Sequence, residues 1–317
     1  MAKFTAQEVV AQFPDSVKGR TFLLTGATAP SIAAAAAVGL GTGSPKQIIL
    51  VGRSIEKLQT LEEQIKQGGS GIEVLIFKLD LASNESIRAG ATAILADNRV
   101  STIDVVVTSA HVVNMERKNS IDGIEETFAI GHVGPFLLVN LLRPKIRATT
   151  GQDSGRIVNV TSGGHRLADI LPNGKFDPLL ETGLPYHVWM QYGQVKLSNI
   201  LFTRSLVMRG FNAVSIHPGP TATLMNTNYD ELMKSVATLV GSSPVKPTPG
   251  KENDMHNPPQ PPQLAGGGLL QAALNPDLPN GAYVAYGEAL ESSKLSQDDQ
   301  LAEELWQLSE RLVGQKF

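Results

Sequence analysis

Short apolar, β-branched runs alternate along the chain with longer segments in which apolar residues recur at helical spacing. Several of the short runs are apolar almost throughout, which is typical of strands covered on both faces. Such alternation implies right-handed βαβ crossovers and predicts an α/β fold, a doubly wound parallel sheet of about seven strands flanked by helices. The predicted strands are Thr21–Thr25, Gln47–Val51, Glu73–Phe77, Ile103–Val107, Arg156–Val160, Ala213–His217 and, near the end, Ala282–Ala285. The predicted helices include Ser54–Lys66, Ser83–Ala96, Tyr192–Met208, Leu264–Leu274 and Gln297–Val313.

One segment interrupts this alternation. Residues Gly241–Pro262 are rich in proline and polar residues, which excludes a helix or a central strand there and predicts a long loop. Within a folded domain, a long loop is either a lid or a disordered insertion, and we place the lid candidate at Met225–Pro262. The helix and strand pattern resumes afterwards, so we expect one domain over residues 1–317 with this excursion inside it.

Composition narrows the class of protein. The net charge of −3 gives no basic footprint, so nucleic acid is an unexpected partner. The absence of cysteine excludes disulfides and thiolate metal sites, and the six histidines lack the spacing of metal ligands. The N-terminus, Met1 to Arg20, has no apolar signal-peptide core, and the most apolar run, Thr28 to Leu40, is too short to span a bilayer. We therefore expect a soluble, cytoplasmic protein.

The first predicted strand ends in a turn that resembles a dinucleotide-phosphate site. Gly26 enters the turn and a helix follows, whose free N–H groups and positive dipole end suit a pyrophosphate. With one extra residue in the turn, Ser31 and Ala33 stand where the usual fingerprint has glycine. The motif alone is weak, and an ordinary βα turn is about as good an interpretation.

The second and third strands end in charged residues. Arg53 follows the second strand, where an acidic residue would bind the adenosine 2′-hydroxyl and an arginine instead suits a 2′-phosphate. A solvated arginine at the start of a helix is the alternative. Asp80 follows the third strand and can cap the next helix, reach an adenine amino group, or do both.

The strongest chemical signal is Tyr192 with Lys196 at i, i+4, on one face of a helix. A nearby ammonium stabilises a phenolate, so this pair suits general acid/base chemistry. The preceding strand leads to the hydroxyl of Ser162 and the following one to a turn at Pro218 and Gly219. Because the carboxyl ends of parallel strands share one edge of the sheet, we expect these groups to meet there in a Rossmann-type crevice.

These features together resemble the short-chain dehydrogenase/reductase family from Gly19 to Gly314. Within it, the chain looks like the retinol-dehydrogenase-like branch, in a form common among fungal oxidoreductases. The residues that carry the resemblance are Thr25-Gly26, Val51-Gly52-Arg53, Leu79-Asp80-Leu81, Phe128 with Gly134-Pro135-Phe136, Arg156 to Ser162, Tyr192 to Phe202, and His217-Pro218-Gly219 with Thr223.

The resemblance implies a redox enzyme that uses NADP(H) on a small-molecule substrate, and the family often forms homodimers or homotetramers. Carried over by motif, Ser162 hydrogen-bonds the substrate oxygen, Tyr192 is the general acid/base, and Lys196 binds the cofactor ribose and tunes the tyrosine. The residues expected to bind the cofactor are Gly26, Thr28, Ser31, Ile32, Arg53, Asp80, Leu81, Ala110, Lys196, Pro218, Gly219 and Thr223.

The chain departs from the family pattern around the same ligand. Besides Ser31 and Ala33, Gly131 replaces the family's relay asparagine, and His111 replaces a glycine after the fourth strand. Two interpretations follow. The cofactor still binds and water completes the relay, or hydride transfer has been lost.

Candidate substrate contacts lie between Ser162 and the catalytic helix. His165, Tyr186, Trp189 and Met190 would suit a hydrophobic or aromatic ligand, although core packing explains each residue equally well. The first functional hypothesis is an NADPH-dependent carbonyl reductase or alcohol dehydrogenase acting on a lipophilic substrate in secondary metabolism. The second is a non-redox enzyme (isomerase, dehydratase, cyclase or rearrangement catalyst). The third, a non-catalytic binding protein, conflicts with the intact Ser–Tyr–Lys set.

Overall fold

The computed structural model describes residues 2–69, 71–147, 155–171, 176–181, 185–222, 229–243, 247, 249–252 and 258–317. These residues form one sheet with the strand order β3-β2-β1-β4-β5-β6-β7-β8. The pairs from β3 to β7 are parallel, and β8 pairs antiparallel with β7. The strands are β1 (Thr21–Thr25), β2 (Gln47–Gly52), β3 (Glu73–Lys78), β4 (Val105–Thr108), β5 (Arg156–Val160), β6 (Ala213–His217), β7 (Tyr283–Ala285) and β8 (Glu288–Leu290).

The predicted doubly wound α/β fold is confirmed, and apart from shifts of one residue at the ends of β2, β3 and β7, the strands differ in two places. The eighth strand was not predicted, because its three residues extend β7 through a tight turn at Tyr286 and Gly287. The fourth strand begins at Val105 rather than Ile103. The carboxylate of Asp104 accepts a hydrogen bond from the Thr21 backbone N–H at 2.8 Å and pairs with Arg147. A side chain that binds backbone in this way competes with the regular ladder.

Helices cover both faces of the sheet. They are α1 (Ala6–Gln12), α2 (Ile32–Leu40), α3 (Ile55–Gly68), α4 (Asn84–Ala96), α5 (Glu126–Phe128), α6 (Gly134–Leu142), α7 (Val188–Met208), α8 (Tyr229–Ser242), α9 (Pro262–Leu274) and α10 (Asp299–Val313). A π-helical turn, Ala129–Val133, joins α5 to α6. Side chains alternate along each strand, so Leu23 joins the core with α4, α6, α7 and α10, while Phe22 and Leu24 join the core with α1, α2, α3 and α9.

The lid candidate, Met225–Pro262, is partly helical. Helix α8 occupies much of its first half and ends at Ser242, the second residue of the segment predicted as a long loop. The loop prediction for the later part holds for its described residues, in which Gln260 bridges to Thr221 and donates to the carbonyl of Pro218 at 2.5 Å. Whether the segment opens and closes as a lid stays a prediction.

No helix among the described residues is long and apolar enough to cross a membrane. The helix α1 lies near the start of the chain and packs against α2 and α9, and a Cβ on Gly267 would collide with the backbone of Phe4. Helix α1 therefore contributes Ala6, Val9 and Val10 to the core on one face of the sheet.

Candidate active site

A cavity of about 1100 Å³ opens at the carboxyl ends of the parallel strands. Its two ends differ in chemistry. The end at β1, β2 and β3 is lined by Gly26, Ser31, Arg53 and Asp80, and we call it the basic end. The end at β5, β6 and α7 is lined by Ser162, Tyr192, Lys196 and His217, and we call it the chemical end.

The first turn of the basic end is held tightly against the turn that follows β4. Gly26 has a φ of +70°, and a Cβ there would lie 2.6 Å from the backbone nitrogen of Ala110. The Thr25 hydroxyl accepts hydrogen bonds from the backbone N–H groups of Ser109 and Ala110, at 3.0 and 3.3 Å. Glycine is needed here because the backbone conformation and the close approach both exclude a side chain.

The helix α2 points its N-terminus into this end. Ser31 is its N-cap, and the Ser31 hydroxyl accepts from the N–H of Ala34 at 3.0 Å. Thr28, Ser31 and Ile32 line the cavity, whereas Ala33 is fully buried in the core. The Ser31 side chain is therefore committed to capping the helix, and the positive end of the helix dipole still faces the cavity.

Arg53 is exposed at the cavity edge and makes no hydrogen bond or ion pair with the described residues. Lys57 lies in the first turn of α3 and lines the same edge. Lys57 was not predicted from the sequence, although it follows Arg53 by only four residues at the start of the same helix. The two cations and the hydroxyl of Ser54 form a site suited to a phosphate group.

Asp80 and Leu81 both line the cavity, but Asp80 does not cap the next helix. Ser83 is the N-cap of α4 and accepts from the Ser86 N–H at 3.2 Å. The Asp80 carboxylate closes the preceding turn by accepting from the Ala82 N–H at 3.0 Å. The capping interpretation of Asp80 is therefore wrong, and an interaction with a bound base stays a prediction.

The chemical end brings Ser162, Tyr192 and Lys196 together. Gly164 lies between the first two, because a Cβ on it would be 2.6 Å from Cε1 of Tyr192 and 3.3 Å from Oγ of Ser162. The Nζ of Lys196 lies 5.6 Å from the centre of the Tyr192 ring. The predicted side-chain trio thus shares one cavity wall.

Lys196 is buried, with 5% of its surface exposed. Its Nζ donates to the carbonyl of Val160 at 3.3 Å, and its own carbonyl accepts from the hydroxyl of Thr161 at 2.6 Å. Burial lowers the pKa of Lys196 to about 7, since the ammonium loses hydration there. Near neutral pH, this amine can therefore both hold and release a proton.

His111 and Gly131 fit one another at the floor of the chemical end. A Cβ on Gly131 would lie 2.9 Å from Nδ1 of His111 and 2.5 Å from Cγ1 of Val195. The π-helical turn that carries Gly131 is fixed by Asn199, whose Nδ2 donates to the Gly131 carbonyl at 2.7 Å. These two departures from the family pattern, which appear as separate changes in the sequence, are thus in contact in the structure.

Comparisons with known proteins agree with this geometry. A family model described as short chain dehydrogenase matches residues 20–168. Retinol dehydrogenase 14 of Homo sapiens is 29% identical over 330 residues, covering 95% of this chain and 88% of that protein. The short-chain dehydrogenase/reductase prx1 of Penicillium rubens is 30% identical over 227 residues, covering 68% of this chain and 62% of that protein. A crystal structure of a putative uncharacterized protein from Mycobacterium Paratuberculosis superposes with a TM-score of 0.68 at 25% identity, covering 99% of this chain and 98% of that chain.

The chain is similar to the short-chain dehydrogenase/reductase family over nearly its whole length. This similarity identifies it as an enzyme of the dehydrogenase and reductase class. The resemblance to the retinol-dehydrogenase-like and fungal members is likewise confirmed by these relatives.

The turn after β6 contributes to the lining of the cavity. Pro218 and Gly219 line it, with Gly219 at a φ of +84°. The hydroxyl of Thr221 donates to the Gly219 carbonyl at 2.9 Å and fixes the turn. Thr223, also predicted to bind the cofactor, lies outside the described residues.

Of the four predicted substrate contacts, only Trp189 lines the cavity, where its ring meets the edge of Tyr192 at 5.4 Å between centroids.

The other three do not line the cavity. His165 is fully buried, with Nδ1 2.7 Å from the Ser162 carbonyl and Nε2 accepting from the Ser293 N–H. Burial lowers the pKa of His165 to about 4, which suits a neutral structural group. Tyr186 donates to the carbonyl of Asn114, and Met190 packs on the core. These three placements correct the prediction.

The sequence analysis missed a polar cluster at the outer side of the chemical end. Arg166 pairs with Glu252 at 2.7 Å and donates to the carbonyl of Glu291 at the same distance. The Tyr283 hydroxyl donates to the same Glu252 oxygen at 3.1 Å. Because Glu252 and Gly250 line the cavity, part of the predicted lid segment is a wall of this site. The pairing spans 86 residues, so no local pattern could have indicated it.

Proposed function

We propose that this enzyme is an NADP(H)-dependent oxidoreductase, a carbonyl reductase or alcohol dehydrogenase, acting on a lipophilic small molecule. One observation carries the proposal: a single cavity joins the cations of the basic end to the Ser162, Tyr192 and Lys196 side chains of the chemical end. A dinucleotide has the length and charge distribution for such a crevice, since its phosphates and its reactive ring lie at opposite ends.

The residues present fit the cofactor. Gly26 and the N-terminus of α2 offer backbone N–H groups for the pyrophosphate, and the close approach at Gly26 leaves that turn free of side-chain bulk. Arg53 and Lys57 offer two cations for a 2′-phosphate, which supports NADP(H) over NAD(H). Lys196 is placed to hold a ribose hydroxyl at the other end.

When bound, the cofactor supplies or accepts the hydride. The chain's own groups then handle the oxygen of the substrate. In reduction, Tyr192 donates its phenolic proton to the carbonyl oxygen, and Ser162 donates a hydrogen bond to the same oxygen. Lys196 beside the ring stabilises the phenolate that remains. In alcohol oxidation, the same proton moves in the opposite direction.

The substrate side of the cavity favours an apolar ligand. Trp189 and Leu167 line the cavity, as do Val236 and Val240 of α8. Apolar walls with a few convergent polar groups are typical of sites for lipophilic small molecules. A role in secondary metabolism, a cytoplasmic location, a single domain and a homodimer or homotetramer remain predictions that accompany this proposal.

The alternative function is non-redox acid/base catalysis on the same scaffold. The observation that favours it is the altered floor, where His111 and Gly131 replace the family's glycine and asparagine. The basic end weighs against this alternative, because a reaction without a dinucleotide has no use for Arg53 and Lys57 beside the α2 N-terminus.

A deuteride-transfer assay tests the proposal. The enzyme is incubated with NADPH carrying deuterium at C4, in separate R and S forms, and a panel of lipophilic ketones and aldehydes. We expect deuterium from one of the two forms to appear on the carbinol carbon of at least one product. Tyr192→Phe keeps the ring and removes the proton, so we expect turnover to fall about 1000-fold or more with cofactor affinity within about threefold of wild type. Full activity in Tyr192→Phe would contradict the proposed mechanism.

A further inference from the structure

His111 lies beside the chemical end, and the mechanism proposed for Ser162, Tyr192 and Lys196 gives it no task. It lies in the loop after β4 and lines the cavity. Both of its ring nitrogens are shielded from solvent and neither has a hydrogen-bond partner among the described residues. Buried polar atoms are usually satisfied, so two orphaned nitrogens in one reactive cavity indicate partners that arrive with ligand or water.

The position of the ring is fixed by its neighbours. The imidazole meets the ring of Tyr192 at 5.2 Å between centroids and at an interplanar angle of 70°. On its other side the ring fills the space in front of Gly131, where any side chain would collide with Nδ1 of His111. The imidazole can therefore occupy this position because residue 131 is glycine. These contacts hold the ring next to Tyr192.

The charge state suits proton transfer. Burial and the Lys196 ammonium together hold the pKa of His111 well below its usual range, so the ring is neutral near pH 7. A neutral imidazole donates from one nitrogen and accepts at the other. The titratable groups that face it are Lys196 and Tyr192 of α7. His132, from the same turn as Gly131, is directed away and lies 2.8 Å from the hydroxyl of Ser309.

We propose that His111 is the proton-relay residue of this site, connecting the Tyr192–Lys196 pair to water. In reduction, Tyr192 loses its proton to the substrate oxygen and regains one from Lys196. Because neither ring nitrogen of His111 has a hydrogen-bond partner among the described residues, the proton passes from His111 to Lys196 through an intervening water molecule. One ring nitrogen takes up a proton from solvent water as the other releases its own, so the ring stays neutral, and exchange with water restores the first tautomer before the next turnover. In oxidation every step reverses. His111 acts through Lys196 rather than on the substrate, and the inference rests on the proposed function.

The kinetic test compares a variant that empties the space with one that fills it. His111→Ala leaves a hole of imidazole size, and His111→Phe keeps a ring without nitrogens. We expect kcat to fall about 10- to 100-fold in both variants, with KM within about threefold of wild type. Added imidazole should restore His111→Ala and leave the wild type and His111→Phe unchanged. Wild-type kcat in His111→Phe, or no rescue of a folded His111→Ala, would overturn the relay.

A second readout needs neither cofactor nor turnover. The ¹⁵N resonances of His111 are identified by their loss in His111→Gln and are followed with pH in the wild type and in Lys196→Met. Removal of the ammonium should move the His111 titration upward by a measurable fraction of a pH unit. An unchanged titration would show that the two groups are uncoupled and would overturn the relay. Lack of hydride transfer in the wild type, with this coupling intact, would instead defeat the proposed function.

Discussion

The two ends of the cavity are built in opposite ways. At the basic end, Arg53 stands exposed just before the N-cap of α3 and Lys57 stands exposed in the first turn of that helix, with their charges in water. At the chemical end, Lys196 is almost fully buried and the nitrogens of His111 are shielded from solvent. Exposed charges cost the fold little and confer selectivity for a ligand, whereas buried ones cost stability and set proton affinity.

Because the two ends differ in this way, substitutions at the basic end and at the chemical end should affect different properties, cofactor affinity at the first and reaction rate at the second. A change at the basic end should alter which dinucleotide binds and leave the acid/base groups untouched. A change at the chemical end should alter the rate and the stability together, because the same burial that lowers the pKa of Lys196 to about 7 destabilises its charged form.

The largest expected effect comes from Lys196→Met, which keeps the apolar stem and removes the amine. We expect kcat to fall about 1000-fold or more, because the phenolate and the relay both lose their cation. At pH 7 we expect the free energy of unfolding to rise on the order of a few kcal/mol, since a buried unpaired ammonium is replaced by an apolar group. Chemical denaturation of both proteins at pH 7 measures the second effect, and a less stable Lys196→Met would contradict this account.

The pH dependence of the free energy of unfolding also distinguishes the wild-type protein from Lys196→Met. The folded pKa of Lys196 is about 7 and the ordinary value is 10.5, so between these limits the unfolded chain holds the extra proton. Wild-type stability should therefore rise with pH across this window, by up to about 1.4 kcal/mol per pH unit from this group. In Lys196→Met this contribution should be absent. Equal slopes for the two proteins in urea titrations from pH 7 to 9 would show that Lys196 does not titrate as described.

A smaller effect is expected from Arg53→Glu at the basic end. We expect NADPH to bind about 10- to 100-fold more weakly, equivalent to about 1.4 to 2.7 kcal/mol, because a cation facing the 2′-phosphate becomes an anion. NADH affinity should change less than about threefold, and the free energy of unfolding should stay within about 0.5 kcal/mol.

The matched control for that change is Lys66→Glu, which makes the same change of charge on α3, the helix that follows Arg53. Lys66 does not line the cavity and pairs with Glu62. We expect it to leave the NADPH to NADH ratio of affinities unaltered. An equal loss of NADPH affinity in both variants would mean that only overall charge matters, and would remove the specific role of Arg53.

The sequence predicted what depends on short-range pattern. Apolar runs located seven strands, and the i, i+4 spacing placed Tyr192 and Lys196 on one helical face that the structure directs into the cavity. Ser162 followed from its position at the end of β5. These predictions hold because strand ends in a parallel sheet share an edge regardless of the detailed packing.

The features that the sequence did not predict depend mostly on contacts between residues far apart in the chain. His165 was predicted as a substrate contact, with core packing as the alternative, and its Nε2 accepts from the backbone of Ser293, 128 residues away. In the sequence, His111 and Gly131 looked like two separate departures from the family pattern. The structure shows that the His111 ring occupies the space next to Gly131 where a Cβ would lie. Helix α8 was not predicted, because the proline-rich segment that follows it dominated the interpretation of the lid candidate. Only coordinates supply contacts of this kind.

The most direct test of the central claim is a calorimetric titration of the wild-type protein with NADPH and with NADH. The account predicts micromolar or tighter NADPH binding, about −8 kcal/mol, and NADH binding at least about tenfold weaker. The absence of binding heat with either dinucleotide at several temperatures would contradict a redox enzyme and leave the chemical end to acid/base catalysis alone.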